Sequence, residues 1–170
     1  MGVRALPTET GADVHVDEDG VDRTKQHLVV YQSNVGKFTG ELGKRMVSIV
    51  GIGAGTVVNS GNYQIAWSNG PDISEKVDVP GFTVIVPVTG ITLTKSELSM
   101  NVGDQTYIGA VVSPPNATNQ KITCSSTDEA VATFDYTGLV VAKGVGKATI
   151  KATTVDGGYS AECVVTVTEK

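Results

Sequence analysis

Between Gly90 and Thr168 the chain repeats one pattern: apolar residues two apart, in short runs separated by small turn-forming residues. Ile91 and Leu93 make the first run, and Leu98, Met100 and Val102 the second. Tyr107 (through Gly109) to Val111, then Ile122 to Cys124, continue it. Ala148, Ile150 and Ala152, then Cys163, Val165 and Val167, end it. A period of two places alternate side chains on one face of a strand, so each run reads as a half-buried strand. Six such runs in about 80 residues, with no helical run among them, predict a small β-sandwich.

Three segments of this stretch carry more than periodicity. The first is Val88–Thr94 followed by Leu98–Gly103, an opening strand, a small polar link and a Val-Gly turn. The second is Ser125-Ser126-Thr127-Asp128 followed by Ala130-Val131-Ala132-Thr133. The third joins Gly138-Leu139-Val140 to Gly144-Val145-Gly146-Lys147-Ala148-Thr149-Ile150, then Asp156-Gly157-Gly158 and the closing Cys163–Val167. In this order they resemble the bacterial immunoglobulin-like domain, group 2, over about residues 88–168. The likeness departs at Cys124, where that family often has Trp on its third strand. The resemblance implies an immunoglobulin-like sandwich that displays and binds, and it carries no catalytic residues. The family occurs in bacterial surface adhesins and on virions of tailed phages.

Apolar content of 40% is enough for cores, but aromatic residues make up only 5% and glycine is abundant, which points to thin sandwiches. The net charge of -5 argues against nucleic acid, whose phosphates need Lys and Arg. No apolar run of membrane-spanning length is visible, so no membrane partner is expected. Met1-Gly2-Val3-Arg4 lacks the apolar core of a secretory signal. In the resemblance Cys124 falls on strand C and Cys163 on strand G, with strand F between them. Two buried free thiols are therefore the favoured reading over a disulfide.

Residues 1–22 are polar and turn-rich, with sparse apolar side chains, and are expected to form an extended N-terminal arm. Val14, His15 and Val16 alternate, so a short edge strand is open there, turning at Asp19-Gly20. Residues 23–87 read as a second, smaller β domain for attachment and oligomerisation. Its strands are Leu28–Tyr31, Met46–Ile52, Thr56–Val58, Tyr63–Trp67, Lys76–Val79 and Phe82–Val86, and Trp67 is expected to anchor its core. Gly36 to Lys44 reads as a glycine-rich loop. Pro87-Val88-Thr89-Gly90 is the expected join to residues 88–170, short and hinged. The fold class is all-β throughout.

Candidate chemistry is thin. Gly51-Ile52-Gly53-Ala54-Gly55 looks like a phosphate loop, but β-branched Thr56-Val57-Val58 follow where a helix is required, so a strand connection is favoured. Asp13, Asp17, Glu18, Asp19 and Asp22 gather carboxylates without a calcium-loop spacing. A solvated arm is favoured there over a salt-sensitive contact to a basic partner surface. His15 and His27 have no metal-binding spacing, and no nucleophile–base order stands out. No catalytic residue, cofactor or metal is expected, and the chain is read as no enzyme. The candidate binding residues are at turns: Asn116 and Asn119 after Pro114-Pro115, Asp128, Tyr136, Asp156 and Tyr159.

With the resemblance in place, the expected function is a structural virion protein of a tailed phage: a capsid decoration or head-fibre subunit. It would be made in the host cytoplasm and carried on the capsid surface. Its N-terminal half would dock on the capsid protein, and its immunoglobulin-like module would bind host-surface glycans weakly. A homo-oligomer is expected, a trimer by analogy with head fibres. The alternatives are a tail tube or baseplate subunit with the same module, or a fragment of a bacterial surface adhesin.

Overall fold

The computed structural model describes residues 2–170, and the chain divides into two compact units at the Val86–Pro87 junction. Among the described residues every regular element is a strand.

The N-terminal unit packs two antiparallel sheets. The first runs in the order β1 (Val3–Pro7), β2 (Ala12–Val16) and β5 (Met46–Ile49). The second runs β4 (Val35–Thr39), β3 (His27–Gln32), β7 (Gln64–Ser68) and β8 (Val77–Asp78). β6 (Val57–Val58) and β9 (Phe82–Thr83) add a two-stranded ribbon. Alternation decides which side chains meet. Val14 and Val16 of β2, Val47 and Ile49 of β5, Leu28 and Val30 of β3, and Ile65 and Trp67 of β7 form one buried core. Burying each of the larger of these side chains contributes about 1.5–3 kcal/mol.

The arm expected over residues 1–22 is not formed by residues 2–22, Met1 lying outside the described residues: β1 and β2 belong to a sheet, and β2 is its central strand rather than an edge. Few apolar residues suffice because Ala12, Val14 and Val16 all fall on one face, between two partner strands, and are buried. The Gly36–Lys44 stretch is not all loop either, since its first part is strand β4. Ser33 and Asn34 both take positive φ, 50° and 65°, making a two-residue turn that folds β4 back on β3. Gly40 follows where β4 passes the other sheet; a Cβ there would lie 2.5 Å from the Met46 carbonyl oxygen.

The C-terminal unit is an immunoglobulin-like sandwich. β11 (Glu97–Asn101), β18 (Ser160–Thr168), β17 (Gly146–Thr154) and β14 (Ile122–Ser126) form one sheet in that order, with β11 parallel to β18. Facing it, β12 (Gln105–Tyr107) pairs with β16 (Leu139–Ala142), which also pairs with β15 (Ala132–Phe134). β10 (Gly90–Leu93) pairs with β13 (Ala110–Ser113). The Tyr107–Val111 run, expected as one strand, breaks at Ile108-Gly109. There Ile108 N–H donates to the Gly138 carbonyl at 2.8 Å, and Thr94 N–H to the Gly109 carbonyl at 2.9 Å. The break hands the strand from β16 to β10 and leaves Ile108 fully buried. The core is mostly Val, Ile and Ala, with Phe134 its one buried aromatic ring. β17 stands between the two cysteines: Cys124 pairs with Ala152 and Cys163 with Ile150. Two ladder spacings of about 4.8 Å exceed a disulfide's reach, and both thiols are free. Burial raises the pKa of each above the ordinary thiol value.

Candidate binding surfaces

The C-terminal unit gathers five of the six turn residues at one end. Register fixes this: Ile122 at the start of β14 pairs with Thr154 at the end of β17, and Gly90 pairs with Ser113. So the loops 114–121 and 155–159 share the end at which the chain enters the sandwich, and the loop 135–138 joins them there through Tyr136, which lines one hollow with Gln120, Lys121 and Val155. Asp128 lies at the opposite end, beyond Ser126, which pairs with Ile150. Its carboxylate accepts the Ala130 N–H at 2.9 Å and caps a turn.

The five are not equivalent. Tyr136 is 79% exposed and stands over a shallow hollow of about 380 Å³ shared with Gln120, Lys121, Ile122 and Val155. Asp135 builds its loop: one carboxylate oxygen accepts the Thr137 N–H at 2.8 Å and the Leu139 N–H at 3.2 Å. The Thr137 hydroxyl foremost, and then these N–H groups, lower the Asp135 pKa. Tyr159 is 42% exposed. Asn116 is exposed, whereas Asn119 is half-buried and accepts the Lys121 N–H at 3.2 Å. Asp156 is already engaged: its carboxylate accepts the Val88 N–H at 3.0 Å, fastening the entering chain to the 154–159 turn. Lys121 and Val155, which flank Tyr136, were not singled out from the sequence. One is a lone charge and the other a lone apolar residue at a strand end, and only the fold brings them together.

In the N-terminal unit most of the acidic segment satisfies the chain's own cations and hydroxyls. Asp19 pairs with Arg23 at 2.6 Å and Arg45 at 3.0 Å, and both guanidinium groups lie over the Trp67 ring, 5.1 and 5.8 Å from its centroid. Arg23 first, then Arg45 and the Val21 N–H, hold the Asp19 carboxyl well below the ordinary carboxylate range, against the opposing effect of burial. Asp17 pairs with Arg4 at 3.1 Å, and Asp13 accepts the Ser48 hydroxyl at 2.6 Å. Among the described residues no three His, Cys, Asp or Glu side chains gather as a metal site.

The same unit has an open groove of about 900 Å³ between β4 and β5, with Arg4, Lys37, Lys44 and Arg45 in its lining. The sequence carries no signal for it, because one side comes from the glycine-rich stretch Gly36–Lys44, which reads as a loop, and the other from the Met46–Ile52 strand. A second hollow of about 450 Å³ is lined by the amides of Gln32, Asn34, Asn62 and Gln64. Lys76 lies over the Tyr31 ring beside it, 4.4 Å from the centroid, and donates to Asn34 at 2.9 Å.

Residues 87–165 match the family model described as bacterial Ig-like domain (group 2). An "Ig-like virion protein" of Serratia phage KSP90 is 33% identical over 127 residues, 74% of this chain and 47% of that protein. A "minor capsid protein" of Enterobacteria phage T3 is 39% identical over 98 residues, 58% of this chain and 22% of that protein. A 3-O-alpha-D-galactosyl-alpha-L-arabinofuranosidase of Bifidobacterium longum is 31% identical over 121 residues, 66% of this chain but 11% of the enzyme. The chain thus spans about half or less of each of these relatives.

Proposed function

Residues 87–165 form a bacterial Ig-like domain of group 2, and from that premise we propose that the chain is a structural protein of a tailed-phage virion. In this reading it is a decoration or head-fibre subunit on the capsid surface. The N-terminal unit attaches it to the shell, and the C-terminal unit offers a weak contact to host-surface glycans. The observation that carries the reading is the extent of the likeness to the KSP90 virion protein, which takes in 74% of this chain and 47% of that one. The likeness to a T3 minor capsid protein points the same way. The enzyme relative shares 11% of its own length, as expected of an accessory module rather than of a catalytic domain.

The glycan contact is assigned to the end carrying Asn116, Asn119, Tyr136, Asp156 and Tyr159. An exposed Tyr ring beside a hollow lined by Gln120 and Lys121 offers a stacking face with polar neighbours. Asp128, at the other end, is left out of that site.

Gradient-purified particles of the phage that encodes the chain decide the matter. Gold-labelled antibody to the chain is expected on the heads, with the chain present by mass spectrometry in many copies. Particles that lack the chain would overturn the proposal, and label confined to tails would move it to the tail.

A further inference from the structure

We propose that the groove between β4 and β5 receives an extended, acidic segment of a shell subunit as an added strand. This deepens the reading of the N-terminal unit as the attachment part and rests on it.

The backbone comes first. β4 is hydrogen-bonded only to β3, and β5 only to β2. Among the described residues the outward edges of 35–39 and 46–49 make no other backbone hydrogen bond. Past the point where Gly40 lies against the Met46 carbonyl, two open strand edges therefore line one groove, and each offers unpaired N–H and C=O groups to an added strand. The five residues of β4 span about 16 Å at the usual rise, room for a short extended segment.

Charge selects the segment. Within a chain of net charge -5, Arg4, Lys37, Lys44 and Arg45 line this groove against the single carboxylate of Glu41. Arg4 is occupied by Asp17 and Arg45 by Asp19. Lys37 and Lys44 are exposed and make no ion pair among the described residues. Lys37 is mid-strand on the open edge of β4, so the same edge of a second copy would bring like charge against it. Acidic side chains on the incoming strand complement both lysines. Between them the half-buried Phe38 and the 42% exposed Met46 give an apolar contact for a side chain on its other face.

Shells assembled from the major capsid protein of the encoding phage are the probe, and cosedimentation is the first readout. The wild-type chain is expected to bind. The Lys37→Glu/Lys44→Glu variant, with its fold checked by Trp67 fluorescence, is expected to bind at least about tenfold more weakly. Lys143→Glu/Lys147→Glu, which makes the same charge change on exposed lysines of the other unit, is expected to bind like wild type. On the shell, amides of residues 35–39 and 46–49 are expected to gain protection from hydrogen exchange. If the wild-type chain binds and the Lys37/Lys44 variant binds equally well, the groove assignment falls while the virion reading stands. Binding lost without amide protection overturns strand addition. Protection of these strands in the free protein at high concentration makes the occupant a second copy and also overturns the proposal. A wild-type chain that ignores the shells removes both readings together.

Discussion

Replacing Gly138 by alanine should cost the C-terminal unit more than the same change at Gly158, and the structure says by how much. Both residues hold positive φ, 87° and 65°. An L-residue in that region costs about 1–2 kcal/mol. At Gly158 nothing lies within 4 Å of an added Cβ, so Gly158→Ala should cost only this amount. At Gly138 the Cβ would lie 2.5 Å from the Ile108 carbonyl oxygen, in the turn where Gly138 accepts the Ile108 N–H. Backbone must then shift at the point where β12 gives way to β13, a further cost of about 1–3 kcal/mol by analogy with overpacked cores. Gly138→Ala should therefore lose about 2–5 kcal/mol in all. The chain carries its own probes: both cysteines are in the C-terminal unit and the single Trp is in the other. Urea titration with pulsed thiol labelling of the buried Cys163 reads the C-terminal unit, and Trp67 fluorescence reads the N-terminal one. Equal losses at Gly138 and Gly158 would refute the reasoning, because both hold positive φ and differ chiefly in the space around the new methyl group.

Two other expectations follow from the site geometry. The Asp19 carboxyl titrates well below its ordinary value of about 4, so its ion pairs stabilise the folded state above that pH and lose this effect as pH falls through the folded value. Asp19→Asn should flatten the acid limb of the Trp67-monitored stability profile; an unchanged limb would mean the Arg23–Asp19–Arg45 contacts do not contribute. Tyr136→Ala should leave stability within about 0.5 kcal/mol, because the ring is largely exposed, yet weaken retention on host-surface glycans. Undiminished glycan retention would remove the tyrosine from the binding surface.

The C-terminal unit was legible because its signal is local. Leu98, Met100 and Val102 alternate, and so do Ala148, Ile150 and Ala152, and those faces are the ones that pack. The N-terminal unit was harder for two reasons. Val14 and Val16 look too few to support a strand until β1 and β5 flank them, and that pairing is non-local. In β4, an exposed edge strand carrying Gly36, Lys37 and Thr39 has only the half-buried Phe38 turned to the core, too little to impose a period, so it resembles a loop. The turn residues were found by their chemistry, but their grouping was not. Asp128 and Tyr136 are eight positions apart and lie at opposite ends: the ladder between β14 and β17 places Asp128 at one, and Tyr136 sits beside Lys121 and Val155 at the other. Asp156 looked free because its partner, the Val88 N–H, lies 68 positions away.

The parallel pairing of β11 with β18 bears on mechanical load. The chain enters at Val88, beside the 154–159 turn, and β18 carries it to the far end of the sandwich at Thr168. Tension between those two points pulls β11 and β18 past each other along their length. The bonds that join Glu97–Asn101 to Val164–Thr168 are then strained all at once in shear instead of opening one by one like a zip.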